Sequence, residues 1–551
     1  MAHLFFFLAT VAASLLWTAV FTAAAARVKT FGWLLRIIAV AIPFFAWLPW
    51  LALTAWLAFG RHLPTNWFGP TLTAFLSTLI GGLWIVSAGL SARGRSALGD
   101  WSILALAAGF GAALLAAGTA IAALELDLER WANGLRAEAT GMMASVVPPP
   151  LATDANAATL YREAMWLSKT TFAIPSEQVL PLFGENPLPV DSEEVGDLLK
   201  RQAPLLDLIR RGTDRAECRF DGDWSRPTIS MLLPETQEMR QLARLLALSA
   251  RRQAVDGHPA EAIADVERLG RMAKHSAREP FLVCSFVGMA LDSIALAALA
   301  EVLPQVTHAD QLDAIDPLGF SQATELRHAA NNSLVCEEAM FLNTAAELAD
   351  KRIRWSKLDD DIVGISPGMT TPVGVLPNLE HWLDPLYRTF MLRSDIDDFR
   401  TRFGRLAHNF SGWFYERRDP AARRRHLEES TDLDGAGLYA KLFMPAFSQM
   451  NMAVWRSEAR RNIAGVLLAA TRYRLATGAL PESLESLVPD YLPFMPGDVF
   501  AQDNATLKLV STDSAWTVYS IGNNGHDDGG PQPDGSEPFE GKDDIGLSMR
   551  R

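Results

Sequence analysis

The stretch Phe281-Leu-Val-Cys-Ser-Phe-Val-Gly-Met-Ala-Leu-Asp-Ser-Ile-Ala-Leu-Ala-Ala-Leu-Ala300 decides how the carboxyl-terminal part of this chain folds. Apart from Ser285, Asp292 and Ser293 it is apolar, and as a helix it is long enough to cross a hydrocarbon core roughly 30 Å thick. An aspartate at the centre of such a span costs roughly 2.5 to 3.5 kcal/mol on insertion scales. We therefore predict a buried helix in the core of a helical domain; a membrane span is the alternative.

The first quarter of the chain contains apolar runs without a single charged residue. Each of them is long enough to span a bilayer as a helix. The runs are Leu4 to Ala26, Ile37 to Phe59, Trp67 to Ser91 and Trp101 to Leu124. The pattern predicts a four-helix transmembrane region over residues 1–125, anchored in the lipid bilayer. A cleaved signal peptide is the alternative for the first run, because Ala23-Ala-Ala-Ala26 suits a signal peptidase.

The basic residues between the runs predict the orientation in the membrane. The first and third loops carry Arg27, Lys29, Arg36, Arg93 and Arg95, whereas the second carries Arg61 alone. Loops rich in Lys and Arg stay in the cytoplasm. We therefore predict a multi-pass protein of the inner (cytoplasmic) membrane, with both termini and the large carboxyl-terminal region extracytoplasmic.

Helical patterns dominate the region that follows. Residues 126–153 predict an amphipathic helix and a proline-rich linker ending in Pro148-Pro-Pro150. Residues 154–437 predict an α-helical domain built from helical hairpins, in which Asp256-Gly257 separates two amphipathic helices. The apolar faces of this hairpin are Met239, Leu242, Leu245, Leu246 and Ala250, then Ile263, Val266, Leu269 and Met272.

Glycine and proline interrupt the helical pattern between Lys351 and Pro385. This composition predicts a long surface loop or lid, and long loops are often functional. A simple connection between helices is the alternative.

The final segment, residues 438–551, predicts a small α+β module. A helix from Leu438 to Thr477 ends at Gly478, and short strands fit Leu507 to Val510 and Trp516 to Ser520. A loop rich in glycine and carboxylates follows the second strand. Carboxylate and carbonyl oxygens are the ligands that calcium prefers, so this loop is a candidate calcium site. A disordered acidic tail is the alternative.

The residues of this segment resemble a known family. The order of Ala469-Ala-Thr-Arg-Tyr-Arg-Leu-Ala-Thr-Gly-Ala-Leu-Pro481, Tyr491-Leu-Pro493, Asp498 and Tyr519-Ser-Ile-Gly522 is similar to the globular domain of the major pseudopilin of type II secretion. The likeness covers about a hundred residues. The layout of the whole chain also resembles a group of multi-span bacterial membrane proteins without an assigned activity, so this second likeness implies no reaction.

The pseudopilin resemblance implies a ligand set for calcium. The matching positions are Ile521, Asn524, Asp543 and Asp544. Asn524 supplies a neutral oxygen where the family has an aspartate, and the loop is longer than in the family, so weaker binding is expected unless Asp527 or Asp528 compensates.

The sequence assigns no catalytic residue: it contains no His-Glu-x-x-His, no Walker-type glycine-lysine loop and no paired Cys-x-x-Cys. A net charge of −13 argues against nucleic-acid binding. The leading hypothesis is a membrane-anchored extracytoplasmic interaction or scaffold protein with an unidentified protein partner and a calcium-stabilised module. The alternative is an extracytoplasmic, membrane-bound, hydrolase-like enzyme whose site is assembled from distant residues. Transport through the four spans is less favoured, because they contain no ionisable residue.

Overall fold

The computed structural model describes the part of the chain that follows the predicted membrane spans, with gaps. The described residues are 126–174, 188–220, 235–312, 315, 324–350, 387–416, 433–501, 505–531 and 543–550. The four predicted spans in residues 1–125 and the predicted loop from Lys351 to Pro385 lie outside them.

Helices make up most of the described chain, which confirms the mainly helical class. A helix over residues 126–146 (α1) comes first. It is followed by α2 (Ala157–Thr170), α3 (Glu193–Arg201), α4 (Ala203–Thr213), α5 (Glu235–Val255), α6 (Pro259–Ala277), α7 (Leu282–Val302), α8 (Thr324–Ala349), α9 (Leu392–Glu416) and α10 (Leu438–Thr477). A π-helical turn, Tyr387–Met391, leads into α9.

A small antiparallel sheet closes the chain. Its strands are β1 (Lys508–Ser511), β2 (Ala515–Ser520) and β3 (Ile545–Arg550), in the order β1-β2-β3. Val518 pairs with Leu509 on one side and with Leu547 on the other. The first two strands lie within one residue of their predicted positions, and the turn between them is closed by the Thr512 N–H, which donates to the Ala515 carbonyl.

The chain divides into two compact units. The smaller unit comprises Met1–Glu138, Leu342–Thr401 and Gly435–Leu442, and the larger one comprises Ala139–Phe341, Arg402–Asp434 and Phe443–Arg551. The larger unit contains the helical hairpin, α7 and the sheet.

The hairpin of α5 and α6 forms as the apolar spacing predicts. Every residue of the two predicted faces is buried. The chain reverses at Gly257, whose φ of 86° lies in the left-handed region. The His258 N–H donates to the Gln253 carbonyl and closes the end of α5. Burial of one face of each helix stabilises the pair.

Helix α7 is the centre of the larger unit. It packs against α5, α6 and β3, and most of its residues are buried. Gly288 lets α6 approach closely, because a Cβ atom there would lie 2.7 Å from the Ala277 Cβ. Within the described part of the chain, the segment Leu282–Gln305 is the one helix long and apolar enough to cross a membrane, and 67% of its most apolar window is buried in the fold. The core helix of a globular domain meets the same criterion.

A buried ion pair holds α7 to α10. The Arg461 Nε donates to Asp292 Oδ2 at 2.8 Å, and its Nη2 donates to Oδ1. The two side chains are 2% (Asp292) and 8% (Arg461) exposed. The neighbouring Arg460 also contacts α7, since its Nη1 donates to the Ser293 hydroxyl at 2.9 Å. Asp292, at the centre of the apolar helix α7, therefore has a charged partner within the protein.

The carboxyl-terminal half of α10 is fastened to the chain that follows α7. Arg474 Nη2 donates to the carbonyls of Leu303 and Val306, and Arg472 Nη2 donates to those of Leu312 and Ile315. These carbonyls lie in the chain beyond the end of α7, so the arginines attach this chain to α10. The sheet joins the same hydrophobic core through residues such as Trp516 and Val518.

In the smaller unit, acidic side chains fix the start of α10. Asp395 accepts hydrogen bonds from the Tyr387 hydroxyl at 2.5 Å and from the Tyr439 N–H at 3.1 Å. Asp398 accepts from the Gly437 N–H at 3.0 Å. Both carboxylates satisfy donors at a helix amino terminus, where negative charge is favourable.

Replacing Arg461 tests the ion pair on α7. We expect Arg461→Ala to lower the free energy of unfolding by about 3 to 5 kcal/mol, because it leaves the Asp292 carboxylate buried without its partner. Chemical denaturation of the full-length protein in mild detergent measures the loss. Arg211→Ala is the matched control, since its pair with Asp207 is 59% and 65% exposed. We expect the control to cost less than about 1 kcal/mol. A similarly small loss in Arg461→Ala would contradict a central role for the pair.

Candidate functional site

The candidate site is the acidic loop that joins β2 to β3. It begins at Ile521 and returns through Asp543 and Asp544, and residues 521–531 and 543–544 of it are described. Because Ser520 pairs with Ile545, the two ends of the loop lie side by side. The sheet register therefore brings together carboxylates that are far apart in sequence.

Asp498 anchors the end of β2. Its carboxylate accepts hydrogen bonds from the Ser520 hydroxyl at 2.6 Å, from the Ile521 N–H at 2.9 Å and from the Phe500 N–H at 2.9 Å. Its side chain is buried. The pseudopilin resemblance includes Asp498 but gives it no role. The structure shows that Asp498 positions the first residue of the loop. The Ile521 side chain packs at the edge of the core.

Asn524 and Asp528 lie at the centre of the described loop. The Asn524 Nδ2 donates to Asp528 Oδ2 at 2.8 Å, and the Asp543 N–H donates to the same oxygen at 3.0 Å. The Asn524 Oδ1 accepts from the His526 N–H at 2.8 Å. Asp528 therefore links the outgoing and returning parts of the loop.

Asp544 lies at the returning end of the loop and accepts hydrogen bonds from its outgoing part. Its Oδ2 accepts from the Asp528 N–H at 3.1 Å and from the Gly530 N–H at 2.7 Å. Its Oδ1 is buried and has no hydrogen-bond partner among the described residues. Burial raises the pKa of Asp544, and the negative charges of Asp528 and Asp527 raise it further, although the two backbone hydrogen bonds oppose the shift.

Basic side chains of the protein bind Asp527 and Asp543. Lys508 Nζ lies 3.0 Å from Asp527 Oδ2, and this interaction lowers the pKa of Asp527. The Tyr519 hydroxyl donates to Asp527 Oδ1 at 2.9 Å. Asp543 Oδ2 accepts from the Asn523 N–H at 2.6 Å, and its Oδ1 accepts from Arg456 Nη2 at 3.3 Å.

The structure thus places Asn524, Asp528, Asp543 and Asp544 in one hydrogen-bonded group, with Asp527 directed toward β1. Within the described ranges, no group of three or more His, Cys, Asp or Glu side chains is arranged to hold a metal ion.

Gly522 permits the close approach of the two loop ends. Its φ is 66°, and a Cβ atom there would lie 1.8 Å from the Asp543 carbonyl oxygen. A side chain at this position would be strained by the backbone conformation and would also displace Asp543.

Other ionisable groups that sequence reasoning did not select are buried in the helical core. Glu279 and Glu337 are 3% and 7% exposed. Cys218, Cys284 and Cys336 are free and buried, and burial raises the pKa of each thiol. A protonated buried thiol is a poor nucleophile. Nothing in the sequence marks these glutamates, because their burial depends on tertiary contacts.

No protein-family model, no curated protein and no solved structure matches this chain. The described residues define its class as a mainly helical protein with a small three-stranded antiparallel sheet at its carboxyl-terminal end.

Three glycine substitutions separate the two constraints at Gly522. We expect Gly522→Ala to destabilise the protein most, by more than about 2 kcal/mol, since it combines a left-handed φ with a steric clash. Gly529→Ala shares the positive φ but has open space around its Cβ, so we expect about 1 kcal/mol. Gly497→Ala has neither constraint and is the control.

Chemical denaturation of the full-length variants in mild detergent measures this series. Equal losses in Gly522→Ala and Gly529→Ala would show that the contact between Gly522 and Asp543 is not formed in solution.

Proposed function

We propose that this chain is a membrane-anchored interaction protein of the inner membrane. Four spans in residues 1–125 hold it in the bilayer, and the region after them is extracytoplasmic and presents a helical surface to a protein partner. The carboxyl-terminal segment is a pseudopilin-like module whose acidic loop binds calcium. The ion acts as a structural element and stabilises the loop.

The observation that carries the calcium proposal is the Asp544 carboxylate. One of its oxygens is buried without a hydrogen-bond partner among the described residues, and the negative charges of Asp527 and Asp528 act on it. A buried polar oxygen without a partner costs free energy, and nearby like charges add to that cost. A divalent cation offsets both costs at once.

The ligand chemistry fits a hard cation. Calcium accepts six to eight oxygens in flexible geometry, including carboxylates, amide and backbone carbonyls and water. Asp528, Asp543 and Asp544 provide carboxylates, and Asn524 and Ile521 provide the neutral oxygens that the pseudopilin likeness implies. Asp527 contributes mainly negative charge, because Lys508 and Tyr519 already bind its carboxylate.

A calcium titration of the melting temperature tests this site. We expect calcium to raise the melting temperature of the chelator-treated, full-length protein in mild detergent, because a ligand that binds the folded state alone must stabilise it. At a calcium concentration 100 times the Kd, the gain is about 2.7 kcal/mol. We expect Asp528→Asn and Asp544→Asn to reduce the shift.

Asp513→Asn is the matched control, because Asp513 is exposed in the turn between β1 and β2. Magnesium at the same concentration tests selectivity, since its smaller ion requires stricter octahedral geometry. The absence of any shift at millimolar calcium, or an undiminished shift in Asp544→Asn, would rule out calcium binding at this loop.

A tryptophan on the helical surface supports the partner-binding part of the proposal. Trp166 on α2 is 63% exposed. Tryptophan is enriched at the centres of protein interfaces, where its large apolar area contributes strongly to affinity. The salt bridge between Lys169, one turn further along α2, and Glu238 on α5 gives the surrounding surface a polar rim.

Crosslinking of the full-length protein tests this surface. We expect Trp166→Ala to reduce the yield of a discrete crosslinked partner at least tenfold without changing the melting temperature, because an interfacial tryptophan often contributes 2 kcal/mol or more. Phe494→Ala is the control, since Phe494 is also half exposed, at 51%, but lies in the loop after α10. Equal yields from wild type and Trp166→Ala would remove this residue from the interface, and the absence of any crosslinked partner in wild type would contradict the scaffold function.

The enzymatic alternative has weaker support. Glu279 and Glu337 have the raised pKa values that acid–base catalysts often have. Both carboxyl groups are buried and bound to backbone N–H groups, however, so a substrate would reach them only after the core opens. Their surroundings fit a structural or regulatory role better than contact with a substrate.

A further inference from the structure

Two carboxyl groups are buried at the amino-terminal end of α7. Glu279 lies in the turn between α6 and α7, and Glu337 lies on α8. Their side chains are among the few acidic groups of the described chain that are almost fully enclosed. Burial of a carboxyl group is costly when the group is ionised, so this position calls for a physical explanation.

Each carboxyl group connects two elements through one backbone hydrogen bond. Glu337 Oε1 accepts from the N–H of Leu282, the first residue of α7, at 2.9 Å. The residue before it, Phe281, provides no side-chain cap, so Glu337 supplies the acceptor that this helix end requires. Glu279 Oε1 accepts from the Phe220 N–H at 2.6 Å and thereby holds the segment that follows α4.

Hydroxyl and thiol groups of α7 and α8 surround Glu337. The Ser285 and Ser333 hydroxyls are 2.6 Å apart and join α7 to α8. Cys284 on α7 and Cys336 on α8 are buried beside the carboxyl groups, and their thiols interact with both glutamates. Glu337 therefore faces thiols and the Leu282 N–H.

Glu279 has more charged neighbours. Arg219 and Arg162 favour its ionised form, whereas Glu235 at the start of α5 disfavours it, and Cys218 lies on the segment after α4. Its Oε2 is buried without a hydrogen-bond partner among the described residues. The arginines therefore compensate the burial of this carboxyl group only in part.

The balance of these effects favours the protonated form. Burial raises the pKa of Glu279 from 4.5 to about 7, against the opposing Phe220 hydrogen bond and arginine charges. Burial also raises the pKa of Glu337 from 4.5 to about 7, against the Leu282 hydrogen bond. A carboxyl group with a raised pKa binds its proton more tightly in the folded state, so stability falls as pH rises from about 4.5 to about 7 and then stays level.

We propose that Glu279 and Glu337 form a pH-responsive latch at the amino-terminal end of α7. In the protonated state, the uncharged carboxyl groups keep α7 closed against α8 and against the segment at Phe220. Ionisation places two negative charges in the buried junction, and the junction opens locally to hydrate them. Acidification of the extracytoplasmic side therefore tightens the helical domain, and neutral or alkaline pH loosens it.

Amide hydrogen exchange of the full-length protein in mild detergent tests the latch. We expect the protection of the Leu282 and Phe220 amides, corrected for intrinsic exchange, to fall roughly tenfold to a hundredfold from pH 5 to pH 8. The Leu246 amide, inside α5, is the internal reference. Equal protection of Leu282 at the two pH values, relative to Leu246, would overturn the proposal.

Glutamine variants test which glutamate causes the pH dependence at each amide. We expect Glu337→Gln to abolish the pH dependence at Leu282, because the amide keeps a carbonyl acceptor but does not titrate, and Glu279→Gln to do the same at Phe220. Glu163→Gln, on the exposed face of α2, should behave like wild type. Wild-type pH dependence at Leu282 in Glu337→Gln would overturn the role of that residue.

An infrared titration of the wild-type protein keeps the test decisive if a variant does not fold. A latch requires that a protonated carboxyl band persists at pH 6 and disappears near pH 7 to 8, in step with the loss of amide protection. A band that is lost entirely below about pH 5.5, where ordinary carboxyl groups have ionised, would overturn the proposal.

Discussion

The larger unit depends on the burial of the Asp292 carboxylate in the middle of the apolar helix α7. An ionised side chain in such a position is tolerated when a partner of opposite charge also satisfies its hydrogen-bonding capacity. Arg461 provides this partner in a bidentate arrangement, and Arg460 binds the neighbouring Ser293. The requirement fixes the position of α10 along α7. With this ion pair, a helix that is apolar enough to cross a bilayer lies in the core of a folded domain.

Other arginines along α10 bind further parts of the larger unit. Arg456 reaches the acidic loop at Asp543, Arg461 binds the middle of α7, and Arg472 and Arg474 bind carbonyls beyond the end of α7. Arginine suits these roles because its planar guanidinium group donates several hydrogen bonds at once and stays charged. Loop, sheet and helices of the larger unit are therefore linked through one helix.

The parts of this structure that could be predicted from sequence are those with a local physical signal. The hairpin of α5 and α6 follows from apolar spacing and a glycine turn, and the first two strands follow from alternation around a short turn. The cost of placing Asp292 at the centre of a membrane span indicated a core helix instead, but its partner lies 169 residues away in sequence. Pairings of that kind depend on tertiary packing, and so do the burial of Glu279 and Glu337 and the role of Asp498. The ligand set proposed for the loop came from a resemblance, and the structure adds that Asp527 is directed toward Lys508.

The contact between Arg456 and Asp543 limits the ways in which a cation can bind the acidic loop. Asp543 already interacts with one positive charge from α10, so a calcium ion must either share that carboxylate or displace the guanidinium group. Arg456 already lies close enough to Arg460 to lower its pKa, an effect second to that of burial, and the Asp543 carboxylate offsets this repulsion. Repulsion between these two arginines, one helical turn apart, disfavours complete displacement. Sharing is therefore the better-supported arrangement, and it keeps the loop attached to α10 when a cation binds.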